Sequence, residues 1–298
     1  MDDVQNWEAR KYSGAIGTNY RIRGPQSGER VVCIHGNHGY SYVYDSLANR
    51  LAQTGFKVMT YDLLGRGHSM SSPTYAPEDL VEQLRSLLSE TGWLRRPIHI
   101  IAHGLGAMVG ILFTQEHGAD SVCSLTLMAP LGYGDEAMLA TSCFGCWRRS
   151  SVSSAKDEED QWKKDLYWNG SALEAEIMNM QALQKAHNPH SYLAYVNTLA
   201  DANTVDLKRP LLSIAKRKDL RLLLLWGDSD ITIPADPVAL KCIVRIMENQ
   251  SSHAKLTYKI VTEAAHAFFL EKEDEVFPVI RDFILLENND PRETVNQV

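Results

Sequence analysis

The stretch IHIIAHGLGAMVG, residues 98–110, decides how the rest of this chain is interpreted. An apolar run rich in isoleucine ends at Ala102, and Gly104 and Gly106 lead into a second apolar segment. This pattern predicts a buried strand, a tight turn and a helix that packs closely against the strand. Gly104 stands at the apex of the turn, where the backbone must take a positive φ angle. Glycine takes that angle at little cost.

Short apolar runs on either side of this turn alternate with segments of helical spacing. Strands are predicted at residues 30–34, 56–61, 98–102, 122–128, 221–226 and 256–261. Helices are predicted at residues 43–54, 77–90, 105–117, 238–247 and 273–286. Because the strand runs are continuously apolar, both faces of the sheet are expected to be buried. The sequence therefore predicts an α/β fold with a mostly parallel central sheet and helices on both faces.

The alternation of strands and helices stops between residues 134 and 209. This segment has no strand pattern, and two helices are predicted in it, at 173–186 and 192–199. We therefore expect one α/β core in two parts, residues 1–133 and 210–298, with residues 134–209 inserted as a helical cap. The cap is expected to cover the C-terminal ends of the strands, where open α/β sheets bind their ligands.

Charge and composition exclude several classes of protein. The 298 residues carry a net charge of −7, which leaves no basic footprint for nucleic acid. The longest apolar runs have the length of strands, so no stable membrane span is expected. An acidic, polar N-terminal sequence and five cysteines without a disulfide framework favour a cytoplasmic protein with reduced thiols. The oligomeric state stays open.

Five segments occur in an order that resembles the α/β-hydrolase family, particularly its lid-bearing esterase, lipase and epoxide-hydrolase-like branch. The segments are VVCIHGNHG at 31–39, YDLLGRGHS at 61–69, IIAHGLGAMVG at 100–110, LLLLWGDSDITIP at 222–234 and EAAHAFFLE at 263–271. The resemblance covers residues 19–133 and 210–286. It implies an α/β-hydrolase fold, a small-molecule ester, lipid or related carbonyl ligand, and neither a metal nor an organic cofactor.

The resemblance also implies a role for particular residues. Asp230 matches the acid of the family's catalytic triad and His266 matches the general base. The backbone N–H groups of Asn37 and Leu105 match the oxyanion hole, which binds the negative oxygen of the reaction intermediate. Gly104 occupies the position of the nucleophile. The order of nucleophile, acid and base along the chain is that of the family.

Two aspartates near these positions receive weaker assignments. Asp228 is the nearer aspartate to the strand before Asp230, and we expect it to be structural. Some members of the family carry the acid after an earlier strand, which would correspond to Asp135. Asp230 is the better match because it completes Gly-x-x-Asp before Pro234.

Gly104 departs from the family pattern because the covalent step needs a nucleophilic side chain. Three interpretations remain open. The chain is a pseudoenzyme that binds a small ligand or a protein partner. Alternatively, His266 and Asp230 act as a base on water or on an acidic proton of the substrate. In the third interpretation, position 104 is serine in the natural protein, which is then an ordinary serine hydrolase. Because both Asp230 and His266 are present, the sequence favours an enzyme.

Two further histidines are expected to be structural. His35 is predicted to tie its own loop together rather than to react. His103 lies in the second position of the turn, where the side chain of a family member normally points away from the pocket.

Overall fold

A computed structural model describes residues 11–13, 17–118, 120–131, 165–167, 171–202, 205–233 and 255–286. Within these ranges one sheet of eight strands runs in the order β1-β2-β4-β3-β5-β6-β7-β8. The strands are β1 Lys11–Ser13, β2 Thr18–Arg23, β3 Arg30–Ile34, β4 Lys57–Tyr61, β5 Ile98–His103, β6 Val122–Met128, β7 Arg221–Gly227 and β8 Lys255–Val261. Strands β3 to β8 are parallel, whereas β2 pairs antiparallel with both β1 and β4. The predicted α/β fold with a mostly parallel sheet is confirmed.

Eight helices lie between or after these strands in the described residues. They are α1 Asp45–Gln53, α2 Pro77–Glu90, α3 Leu105–Glu116, α4 Ala172–His187, α5 Ser191–Ala202, α6 Lys208–Ala215, α7 Phe268–Glu271 and α8 Glu273–Leu285. Short 3₁₀ turns occupy Ser41–Tyr44 and Trp93–Arg95. The predicted helix at 238–247 lies outside the described residues. No described helix has both the length and the apolar character that a membrane crossing requires.

Burial explains why the strands read as unbroken apolar runs. Every residue of β5 and of β7 is buried, and so are ten of the twelve residues of α3. Burial on both faces is what a parallel sheet covered by helices imposes. Strand β2, which lies between β1 and β4 and has the sequence TNYRIR, was not predicted, because its polar residues break the apolar pattern.

Helices α4 and α5 belong to the segment expected to form a cap. Their observed bounds contain the predicted helices at 173–186 and 192–199. Ile177 of α4 and the side chains of Ala194 and Tyr195 in α5 are buried. The division of the chain at residues 133 and 209 remains a prediction, since residues 132–164 lie outside the described ranges.

Candidate active site

The turn between β5 and α3 has the sharp backbone that its glycines predict. Gly104 has a φ of +52° and a ψ of −113°. Its N–H donates to the Met128 carbonyl at 2.9 Å, and its own carbonyl accepts from the N–H of Leu131 at 3.3 Å. Two residues on, a Cβ built on Gly106 would lie 2.6 Å from the carbonyl oxygen of His35. Helix and loop therefore approach too closely for any other residue to fit at Gly106 without movement.

Asp230 and His266 form a hydrogen-bonded pair beside this turn. Asp230 follows β7 and His266 follows β8, and Nδ1 of His266 lies 2.8 Å from Oδ2 of Asp230. The other carboxylate oxygen of Asp230 accepts the backbone N–H groups of Thr232 and Ile233, at 2.9 and 2.8 Å. Because Nδ1 donates to a carboxylate, the other ring nitrogen, Nε2, is the basic atom of neutral His266.

The vacant apex of the turn faces that basic nitrogen. A Cβ built on Gly104 would lie 3.3 Å from Nε2 of His266 and 3.7 Å from its Cε1. A side chain at position 104 would therefore point at the imidazole. The structure thus brings Gly104, Asp230 and His266 together.

Two opposing effects act on the pKa of His266. Burial alone would lower it, because the protonated ring loses its hydration. The Asp230 carboxylate and its hydrogen bond raise it, and the charge of Asp165 raises it further. The net result is a pKa above the ordinary value of histidine. His266 is therefore a stronger base than a free imidazole.

Asn37 and Leu105 lie at the same pocket as Gly104. Leu105 is the first residue of α3, where backbone N–H groups have no partner within the helix and attract negative charge. The side chain of Asn37 turns toward α5, since its Nδ2 donates to the Tyr195 carbonyl at 3.2 Å and its Oδ1 accepts from Arg66. The loop that carries Asn37 is thereby anchored through its side chain.

Arg66 joins this loop to the neighbouring helix. Its guanidinium is buried and donates to the carbonyls of Leu64 at 2.8 Å and Ala194 at 3.2 Å. It also donates to the hydroxyl of Thr198 at 2.8 Å, and to Asn37. One cation therefore holds the YDLLGRGHS loop, the loop of Asn37 and helix α5 together.

The pocket contains about 720 Å³ of space, including the part that opens to solvent. Most of its wall is apolar. The apolar side chains in this wall include those of Val43, Leu131, Leu199, Ile233, Phe269 and Leu270. Concave, mostly apolar pockets with a few polar groups are typical of sites for small molecules.

His103 does not point away from the pocket, contrary to the expectation. Its ring lies 4.4 Å from the ring of His266, centroid to centroid, and Nε2 is 3.0 Å from the backbone carbonyl oxygen of His266. Burial lowers the pKa of His103 well below the ordinary value. The ring is therefore neutral, and it supports the loop of His266 as a hydrogen-bond donor. The expectation came from the usual orientation of this position in the family, whereas here the ring packs against His266 at the wall of the pocket.

His35 ties its loop together, as expected. Its Nε2 accepts the N–H of Leu63 at 2.9 Å and its Nδ1 donates to the carbonyl of Gly36 at 2.7 Å. Burial lowers its pKa to about 4, so it stays neutral. Asp228 is exposed, and its carboxylate contacts Ser229 at 2.8 Å rather than a histidine. Asp135 lies outside the described residues.

A second histidine–carboxylate pair in the pocket was missed by the sequence analysis. Nδ1 of His38 lies 2.9 Å from Oδ2 of Asp165, and the His38 ring packs 4.7 Å from the ring of Tyr195. His38 lies within the VVCIHGNHG segment, in which the resemblance assigned a role to Asn37 but none to His38. Asp165 ends the serine-rich, charged segment 148–165, whose composition predicts a loop, so no sequence signal indicated a role for it.

The fold and the site define an α/β-hydrolase. A model of the family described as serine aminopeptidase, S33, matches residues 25–273, and the chain therefore belongs to this family. The matched region contains all five segments quoted above.

Relatives of known activity match at low identity. The proline iminopeptidase of Lactobacillus helveticus (strain DPC 4571) is 22% identical over 305 residues, which is 90% of this chain and 94% of the relative. A haloalkane dehalogenase of Mycobacterium marinum is 29% identical over 113 residues, only 37% of each chain. The solved esterase of Exiguobacterium antarcticum is 15% identical with a TM-score of 0.69, covering 92% of this chain and 98% of that one. These likenesses agree with membership of the α/β-hydrolase family, and the esterase structure shows the fold alone.

Proposed function

We propose that this chain hydrolyses a small ester, lipid or related carbonyl compound by direct attack of water, with the His266–Asp230 pair as the base. The 3.3 Å between Nε2 of His266 and a Cβ built on Gly104 carries this proposal. In a serine hydrolase that space holds the hydroxymethyl group of the nucleophile. With glycine at position 104, a water molecule can occupy it within reach of the base.

The proposed reaction proceeds without a covalent intermediate. Nε2 of His266 takes a proton from water while the water oxygen bonds to the substrate carbonyl carbon. The oxygen that becomes negative accepts hydrogen bonds from the N–H groups of Asn37 and Leu105. The intermediate then collapses, the bond to the leaving group breaks, and His266 returns its proton to the leaving group. Asp230 keeps the imidazole oriented and stabilises its charged form.

Three observations support the substrate class. The pocket wall is mostly apolar, which suits an acyl or alkyl group. A helix N-terminus at Leu105 favours the development of negative charge there. The family described as serine aminopeptidase, which the chain matches over residues 25–273, supports a hydrolytic reaction. We also propose that the segment 134–209 forms a cap over the pocket. A cytoplasmic location of the protein remains a prediction.

Gly104 itself favours a second candidate, a ligand-binding protein without turnover. Loss of the serine from a catalytic triad lowers kcat on the order of a million-fold. A pocket that keeps its shape without the nucleophile can still bind a small molecule. This candidate predicts specific binding of a carbonyl compound and no hydrolysis above the uncatalysed rate.

Hydrolysis of 4-nitrophenyl acetate and butyrate by the chain and by His266→Ala tests the proposal. We expect slow hydrolysis that resists a serine-directed phosphonate and falls at least about a hundredfold in His266→Ala, because general-base catalysis contributes that much. His187→Ala is the matched control, since His187 is exposed and its ring bonds to Leu183 of its own helix at 2.7 Å. Equal rates for the chain and for His266→Ala would overturn the proposal. Binding without hydrolysis would establish the second candidate.

A further inference from the structure

Asp165 contacts three separate loops of the site. Its Oδ2 lies 2.9 Å from Nδ1 of His38, in the loop of the expected oxyanion hole. Its Oδ1 accepts the hydroxyl of Thr232, which follows Asp230. Its backbone carbonyl accepts the N–H of Ala267, the residue after His266, at 2.9 Å. One buried residue is thus bonded to the loops that carry Asn37, Asp230 and His266.

Thr232 connects this residue to the catalytic carboxylate. Its backbone N–H donates to Asp230 at 2.9 Å, while its hydroxyl donates to Asp165. A continuous series of hydrogen bonds therefore runs from His266 through Asp230, Thr232 and Asp165 to His38. A histidine stands at each end, and both histidines line the pocket.

We propose that Asp165 is a positioning residue of the active site, which fixes the loops of His38 and His266 relative to each other and supplies a second negative charge beside His266. This inference rests on the proposed role of His266 as the base. Asp165 acts through other residues and is not proposed to touch the substrate.

The charges around His266 are consistent with this role. Burial favours the neutral acid, but His38, His266 and the Thr232 hydroxyl together lower the pKa of Asp165 to about 2. Asp165 is therefore ionised at neutral pH. The titratable groups that face His266 are Asp230, Asp165 and the neutral ring of His103, and the two carboxylates both raise its pKa. A more basic imidazole is a stronger acceptor for the proton of water.

A purely structural role for Asp165 makes a different prediction. Hydrogen bonds that only hold loops in place are replaceable by those of a neutral side chain of the same shape. The charge beside His266 is not replaceable in this way. Asp165→Asn separates the two roles, because it preserves the size of the side chain and removes its charge. Its amide oxygen can accept from His38, and its amide nitrogen can donate to the Thr232 hydroxyl, which then acts as the acceptor.

The test is an NMR titration of His266 in the full chain labelled at its histidines, with His266→Ala to assign the signal. We expect Asp165→Asn to shift the midpoint of this titration to lower pH. Asp228→Asn is the matched control, because it removes an exposed carboxylate near the same loops that does not contact His266. An unchanged midpoint in folded Asp165→Asn would overturn the proposal.

Asp165→Ser serves if Asp165→Asn does not fold, since it also removes the charge and leaves room for a water molecule to bond to His38 and Thr232. We expect the His266 midpoint to shift in the same direction, and no shift would overturn the proposal. The titration does not depend on substrate. A chain that hydrolyses no ester but shows the shift would refute the proposed function and keep the inference about charge.

Discussion

The site has two halves, the turn between β5 and α3 at Gly104 and the loops of Asp230 and His266. The halves differ in whether they carry reactive side chains. The turn keeps its backbone but has no reactive side chain. The loops carry a buried acid–base pair, in which Nδ1 of His266 lies 2.8 Å from Oδ2 of Asp230. Packing alone accounts for the turn, because Gly106 is pressed against the carbonyls of Ile34 and His35. Packing does not account for the pair.

The difference bears on function because buried ion pairs are poor stabilisers. Removing two charges from water often costs as much as their attraction returns, so apolar residues of similar volume stabilise as well or better. The Asp230–His266 pair is therefore hard to explain by stability. A chemical role explains it, and the experiments below separate the two halves.

The largest effect is expected when the turn regains a nucleophile. Since loss of a triad serine costs on the order of a million-fold in kcat, Gly104→Ser is expected to raise ester hydrolysis at least about a thousandfold. The variant should also react covalently with a fluorophosphonate probe. Gly104→Ala is the control, because it carries the same Cβ without the hydroxyl. A folded serine variant that stays unlabelled would show that the two halves are not aligned for catalysis.

Removing the acid from the other half is expected to have the next largest effect. With Gly104 in place, Asp230→Asn should lower the rate of ester hydrolysis about a hundredfold or more relative to the unmodified chain. The imidazole of His266 then loses its orientation and its counter-charge. With neutral His266 as the proposed base, we expect the rate of the unmodified chain to rise with pH through the raised pKa of His266. In the variant the midpoint should move to lower pH. A rate and midpoint like those of the unmodified chain would exclude Asp230 from the site.

The two glycines of the turn are expected to differ in stability. Gly106→Ala should lower the free energy of unfolding by about 3 kcal/mol, because its Cβ meets backbone carbonyls that have little room to move. Gly104→Ala should cost about 1–3 kcal/mol, because alanine is strained at a φ of +52° and its Cβ lies 3.3 Å from His266. Urea unfolding of both variants measures the difference. A larger loss at Gly104 would contradict this account of the turn.

The smallest effect is expected on stability at low pH. Acid protonates Asp165, which is bonded to the loops, whereas Gly104 in the turn carries no group that titrates. The pKa of Asp165 falls from 3.8 to about 2 on folding. Its contribution to stability is therefore present above its ordinary pKa and is lost as the pH falls toward 2. We expect the loss to be on the order of 2 kcal/mol. Unfolding measured between about pH 5 and pH 2 should show a shallower dependence in Asp165→Asn than in the unmodified chain.

Most of the fold could be predicted from local patterns. The turn at 98–110 and the buried strands at 122–128 and 221–226 lie where the apolar runs predict them. Five ordered segments also predicted that Gly104, Asp230 and His266 would lie together. Strand β2 could not be predicted, because alternating polar residues mark it no more clearly than a loop.

The rest of the site depends on contacts between residues far apart in the chain. Asp165 pairs with His38 only because the chain returns over the pocket, and neither residue has a local pattern that indicates the other. The orientation of His103 depends on which side of a fully buried strand faces His266. Sequence periodicity carries no information about either.

The buried guanidinium of Arg66 has a consequence for how this protein unfolds. Arginine stays protonated at any ordinary pH, so its charge needs acceptors throughout. Ala194 and Thr198 of α5 supply two of them. In a shortened chain without α5, the Arg66 guanidinium would have too few hydrogen-bond acceptors for its charge. The helix and the sheet are therefore expected to melt in one transition rather than as separate pieces.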